Sequence, residues 1–130
     1  MDASITIRPA VPDDAEPIAA VHVESWRDTY RGIIPDAFLD GLTVEGRARS
    51  WRWTFANLNE NEVLFVAEDG GRIIGFSNGG KNRNSEYPHG GEVYAIYLLK
   101  AYHGLGIGKR LFTAVTESLE RSGYDSFMLW

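Results

Sequence analysis

The chain has 130 residues, enough for one medium-sized hydrophobic core and hardly enough for two. Its residues are 44% hydrophobic and 24% charged, with a formal net charge of -5, which fits an ordinary globular protein and carries no general basic signal for nucleic acid. It contains no cysteine, so disulfides, thiolate metal sites and a cysteine nucleophile are excluded. The opening MDASITIRPA lacks the basic segment and apolar run of a secretory signal, and no stretch approaches the roughly 20 apolar residues that cross a bilayer. A cytoplasmic protein without membrane or nucleic-acid partners is the expectation.

Residues 4–8 read as a first strand with Ile5 and Ile7 on one face, stopped by Pro9 and Pro12. Asp13 or Asp14 then caps a helix running to about Tyr30, with Pro17 in its first turn, where a missing amide proton costs nothing. Ile18, Val21, His22, Ser25 and Trp26 line one side of it. A broken helical region follows from Pro35 and resumes from about Val44 to Leu58; Trp51 and Trp53, two apart, fall on different faces. The apolar run Val63 to Val66 and the run from Arg72 to Phe76, joined by Asp69, Gly70 and Gly71, read as a hairpin. Residues 79–91 read as a polar, mobile loop, and about 92–99 as another strand.

The stretch YHGLGIGKRL, from Tyr102 to Leu111, places three glycines on alternate positions before an amphipathic helix. Ile107, Leu111, Val115 and Leu119 recur every four residues, and Gly123 stops the helix. Residues 124–130 read as a further strand, so strand, helix and strand form one crossover unit. The glycines admit two explanations, a plain tight turn or an anion site. The nucleotide motif GxxxxGK followed by Ser or Thr fails at His103 and Arg110, and the spacing GxGxG misses the dinucleotide fingerprint GxGxxG. What stays open is a helix N-terminus whose unpaired amides and dipole favour a phosphate, approached past glycines with no side chain in the way.

The segment EVYAIYLLKAYHGLGIGKRL, from Glu92 to Leu111, resembles the acetyl-CoA-binding segment of the GCN5-related N-acetyltransferase (GNAT) superfamily. There a strand precedes Gln or Arg, two residues, Gly, one residue, and Gly or Ala; His103, Gly106 and Gly108 hold those places here. VHVESWRDTYRGIIP, from Val21 to Pro35, is similar to the first helix and loop of a bacterial subgroup, with Trp26, Tyr30, Gly32 and Pro35 at its recurring positions. The resemblance implies an α/β (α+β) fold, a mixed, mostly antiparallel twisted sheet flanked by helices. It also implies acetyl transfer from the cosubstrate acetyl-CoA to a primary amine by direct attack in a ternary complex. The family continues with another helix and a last strand pair, so residues 1–130 read as a single, C-terminally incomplete acyl-CoA N-acyltransferase domain.

By position, Ile96, Tyr97 and Leu98 lie along the pantetheine arm, Leu98 being the best candidate for a backbone bond. The amides of Gly104, Leu105, Gly106, Ile107, Gly108 and Lys109 cradle the pyrophosphate, while His103 departs from the family's Gln or Arg and offers at most one hydrogen bond. Glu92 is the candidate base for the amine proton, and Trp26 and Tyr30, four apart, the candidate acceptor wall. The family's leaving-group tyrosine belongs to the helix that would follow. Glu24, Asp28 and Asp36 offer charge for a cationic amine; His22 and His89 lack a third ligand, so no metal is expected. Two other readings stand beside the enzyme: a non-catalytic acyl-CoA-binding or regulatory module, and a fragment that assembles, as a homodimer for example, through its C-terminal strand.

Overall fold

The computed structural model describes residues 5–58, 62–81, 90–124 and 127–129. Five strands, β1 (Ile5–Pro9), β2 (Val63–Asp69), β3 (Arg72–Lys81), β4 (Gly91–Leu98) and β5 (Phe127–Leu129), form one sheet in the order β1-β2-β3-β4-β5. All neighbours are antiparallel except β4 and β5, which run parallel. The helices are α1 (Ala15–Tyr30), α2 (Asp36–Asp40), α3 (Val44–Ala56) and α4 (Ile107–Arg121). A parallel pair needs a crossover, and α4 supplies it between β4 and β5.

The two faces of the sheet are told apart on β3. Phe76 meets the rings of His22 on α1 and Trp51 on α3, at 5.9 and 5.2 Å, while the Ser77 hydroxyl donates to the Leu111 carbonyl of α4 at 3.0 Å. Alternation along a strand therefore puts α1 and α3 on one face and α4 on the other. Covered on both sides, β3 is buried from Ile73 to Gly80. On α4, Ile107, Leu111, Val115 and Leu119 are all at most 1% exposed. Each buried side chain of this kind contributes about 1.5–3 kcal/mol over leaving it in water.

Several local expectations are corrected. Pro9 is the last residue of β1 rather than its stop, opposite Phe65; β1 lies at an edge of the sheet, where a missing N–H breaks no ladder. Asp14 occupies the position before α1 but does not cap it. Its carboxylate accepts from the Val11 amide at 2.8 Å and from both terminal nitrogens of Arg8 at 2.8 and 3.0 Å, and Arg8 also donates to Glu68 at 2.7 Å. Gly79, Gly80 and Lys81 belong to β3 and Gly91 to β4, not to a loop; residues 82–89 lie outside the described residues. Of the strand expected over residues 124–130, Phe127–Leu129 is found and Tyr124 lies outside it; residues 125, 126 and 130 lie outside the described residues. Tyr124 instead completes the end of α4: its amide donates to the Leu119 carbonyl, the Gly123 amide to that of Glu120, and its ring packs on the small cluster of Val93, Val115 and Leu119.

Glycine explains the close seat of α4. A Cβ on Gly75 would stand 2.8 Å from Leu98 Cδ1 and 3.3 Å from Leu111 Cδ1; one on Gly79 would overlap Val115 Cγ1 and stand 2.8 Å from the Glu92 carbonyl. Opposite Gly79 the register shifts: Val93 pairs with Gly79 but Ala95 with Asn78, leaving Tyr94 as an extra residue in β4.

Candidate functional site

β4 is paired along its whole length with β3, but on its other side β5 pairs only Gly91, Glu92 and Val93. From Tyr94 to Leu98 no strand among the described residues occupies that edge. A short 3-10 turn (Lys100–Tyr102) follows, and then the glycine-rich segment. Gly104 and Gly106 both take φ of 80°, the left-handed region that residues with a Cβ avoid, and Gly106 is the N-cap of α4 with no side-chain cap. The first helical bond runs from the Arg110 amide to the Gly106 carbonyl at 3.2 Å, leaving the amides of Ile107, Gly108 and Lys109 without a backbone partner among the described residues. Apart from the chain neighbours and the backbone of α4, no atom of the described residues lies within 4 Å of a Cβ built on Gly104, Gly106 or Gly108. These amides converge at the positive end of a four-turn helix dipole, a site suited to an anion.

The side chains around the cradle divide cleanly. Ile107 is 1% exposed and anchors the helix in the core, so only its amide is available, whereas Leu105 is half exposed. His103 Nε2 stands 2.9 Å from the Leu98 carbonyl; a carbonyl only accepts, so that nitrogen carries the proton and the ring ties the turn to the end of β4. Lys109 and Arg110 are exposed and line a groove of about 480 Å³ on the far flank of α4, against Ile7 and Phe65, where Arg110 donates to the Ile5 carbonyl at 3.2 Å. The free edge of β4 does not line that groove.

That edge lines a different cavity. Ile96, Tyr97 and Leu98 face Ser25, Asp28 and Thr29 of α1 across about 350 Å³, with Lys100 and His103 at the turn end. Spaced i, i+3 and i+4, the three α1 residues share one helical face. Beside the cavity stands an aromatic cluster. Tyr97 accepts from Trp26 Nε1 at 3.0 Å and stacks on His22 at 4.8 Å; Trp26 in turn meets Tyr30 at 4.7 Å. Trp51 Nε1 donates to His22 Nδ1 at 3.3 Å, and burial, with a smaller effect from the Arg47 charge, lowers the His22 pKa to about 4. Trp51 is buried and Trp53 is 68% exposed, the division their spacing predicts.

Glu92 is 1% exposed at the start of β4, opposite Gly80 of β3 and Met128 of β5. Six residues of strand separate it from Leu98, roughly 20 Å. The predicted cofactor and base residues therefore fall into three places along β4 and the turn after it, the amide cradle, the β4 edge and the buried carboxylate, while Trp26 and Tyr30 stand on α1 beside Tyr97. Asp36 is instead engaged with Arg31 at 3.2 Å. Ser25, Thr29 and Lys100 emerge as cavity residues only in three dimensions; for Ser25 the available signal was a polar residue on an apolar helical stripe.

The sequence profile of the Acetyltransferase (GNAT) family matches residues 17–130. The chain belongs to the GNAT acetyltransferase family. This GNAT protein is 35% identical over 127 residues to YuaI, an uncharacterized N-acetyltransferase of Bacillus subtilis, spanning 97% of its own length and 70% of the relative's. It is 30% identical over 119 residues to an uncharacterized N-acetyltransferase of Archaeoglobus fulgidus, covering 89% of this chain and 75% of that one. Its fold superposes with a TM-score of 0.76 on the PaiA N-acetyltransferase of Thermoplasma acidophilum in complex with coenzyme A, at 24% identity, over 97% of this chain and 78% of that one. The mixed, mostly antiparallel sheet between helices is the architecture the resemblance implied. Among the described residues, no helix is long and apolar enough to cross a membrane, and no cluster of three metal-binding side chains occurs.

Proposed function

We propose that this GNAT protein transfers the acetyl group of acetyl-CoA to a primary amine by direct attack in a ternary complex. The observation that carries the reading is one of continuity: the outer edge of β4 beyond Val93, which no strand among the described residues covers, leads into the amides at the start of α4. That run suits a ligand with amides along an arm and a diphosphate at one end, which describes coenzyme A. The structural neighbour in complex with coenzyme A has the same fold.

In this reading the amides of Gly104 to Lys109 hold the pyrophosphate, and Ile96 to Leu98 hold the arm through the main chain. The thioester then lies toward Glu92. The amine nitrogen forms its bond to the acetyl carbon, the carbon–sulfur bond breaks, and the sulfur leaves as the CoA thiolate. The proton lost by the amine passes to Glu92, directly or through one water. Trp26 and Tyr30 form the acceptor side, where Tyr97 braces the Trp26 ring.

Calorimetric titration with coenzyme A tests the donor half, with saturable one-to-one binding as the expected result; a folded protein with no detectable heat or saturation would sink the proposal. The acceptor half is tested by following free thiol from acetyl-CoA across a panel of diamines, amino sugars and peptides with free N-termini. Glu92→Gln is expected to lower kcat by about 10²–10⁴-fold with coenzyme A affinity retained. An unchanged kcat would remove Glu92 from the chemistry.

A further inference from the structure

Asn78 is a buried amide on an otherwise apolar part of the sheet. It follows Phe76 by two residues on β3, so its side chain lies on the face that α1 and α3 cover, in the rows where Leu64 and Val66 of β2 are buried. The residue is 7% exposed. Its Nδ2 donates to the Val63 carbonyl at 3.0 Å and to Glu62 Oε2 at 3.3 Å. A carbonyl only accepts, so the bond to Val63 fixes which way the amide is turned and identifies the remaining atom as Oδ1. That oxygen accepts from no group among the described residues, and unlike the Ser25 oxygen it is not fully shielded. An amide oxygen this deep in the fold and still open is suited to a donor that arrives from outside.

The neighbours of Asn78 identify that donor. Asn78 pairs with Ala95 of β4, and Gly80, the next residue of β3 on the same face, pairs with Glu92. Val93 joins Val115 and Leu119 on the α4 side, so Glu92 beside it is directed to the face of Asn78. Diagonal neighbours of this kind stand about 7–8 Å apart. On that row, the methyl of Ala95 is all that β4 places between Asn78 and its outer edge. A neutral primary amine attacking the thioester carries two N–H groups. One proton passes to Glu92; the other stays on nitrogen and becomes the N–H of the acetamide. Positive charge develops on nitrogen as its bond to carbon forms, so an oxygen placed for the second N–H stabilises the transition state more than the ground state. We infer that Asn78 is an amine-binding residue: its Oδ1 takes the N–H that Glu92 does not, and thereby favours primary over secondary amines.

This inference rests on the proposed acetyl transfer. Its test follows thiol release from acetyl-CoA with paired substrates that differ by N–H count: 1,4-diaminobutane against its N,N′-dimethyl derivative, and an alanyl peptide against the N-methylalanyl peptide. Native protein is compared with Asn78→Leu and Asn78→Asp. Both variants lose the bonds to Val63 and Glu62, but only the aspartate keeps an accepting oxygen in place. Native protein and Asn78→Asp are expected to prefer the primary amine in kcat/KM. Asn78→Leu is expected to lower that preference about two- to tenfold, the equivalent of one hydrogen bond, with coenzyme A affinity unchanged in all three. If Asn78→Leu does not fold, Asn78→Ala takes its place with the same expectation. A preference retained in full without the oxygen, or lost equally in Asn78→Asp, would overturn the role of Asn78, since shape or packing would then account for it. Native protein that binds coenzyme A but acetylates none of these amines or those of the wider panel would overturn the transfer reading itself, a result distinguishable from the other two.

Discussion

At the scale of single residues, the glycines after β4 have different duties. Gly104 and Gly106 bend the chain through left-handed conformations, so replacing either strains the turn whatever else it does. Gly108 lies inside α4 with ordinary helical geometry and open space around it. This makes Gly108→Glu a clean probe. A carboxylate in the first turn of a helix contributes about 0.3–1 kcal/mol of stability through the dipole. The same charge beside the free amides opposes a diphosphate. The expected outcome is an unchanged or raised melting temperature together with at least a tenfold loss of coenzyme A affinity; undiminished affinity would place the anion elsewhere. Leu98 and Ile107 are expected to tolerate conservative apolar replacement without loss of binding, since their assigned roles use the main chain. The His103 ring already bonds the Leu98 carbonyl, which gives that departure from the family pattern a positioning role between strand and turn.

At the scale of elements, the seat of α4 on β3 decides where the cradle stands. Gly79 allows Val115 to approach the strand, and the Ser77 hydroxyl pins the Leu111 carbonyl. Gly79→Ala is expected to destabilise the protein by about 1–3 kcal/mol, seen as a lower denaturant midpoint with an unchanged slope, because neither Val115 nor the Glu92 carbonyl has room to yield. A variant as stable as the native protein would show that α4 shifts at little cost. The four-residue stripe of α4 was legible because a helix repeats its buried face at short range. The extension of β3 through Asn78, Gly79 and Gly80 was not, since those residue types favour turns and only a helix lying against them makes glycine the fitting choice.

At the scale of the whole molecule, His22 couples three elements: α1 carries it, Trp51 of α3 bonds it, and Tyr97 of β4 stacks on it. Burial holds the imidazole neutral down to about pH 4 in the folded protein, against an ordinary value of 6.5. Between those values the unfolded chain binds the proton and the native state does not, so stability present above pH 6.5 is lost as pH falls toward 4. Melting temperatures are expected to drop through that window, and His22→Gln, whose amide oxygen can accept the Trp51 bond, to show a shallower drop. An identical slope would mean that His22 does not titrate as described. Asp14 acts lower on the scale, because the hydrogen bonds from Arg8 depress its pKa below the ordinary 3.8 and its contribution is lost only under more acid conditions.

What the sequence by itself determined are the features set by neighbours along the chain. The α1 and α4 stripes, the hairpin turn at Asp69 to Gly71 and the glycine turn all follow from local periodicity and spacing, and the family from the resemblance of two short segments. The order of the cradle, the β4 edge and Glu92 along one strand also follows, because a strand is a ruler. Only the tertiary structure decided which side chains meet that strand. Ser25, Asp28 and Thr29 lie about 70 residues before Ile96 to Leu98 in sequence, and no periodicity links them. The cavity they share with the strand is set only when α1 packs against the sheet, since a cavity wall is a property of two surfaces and not of either segment alone.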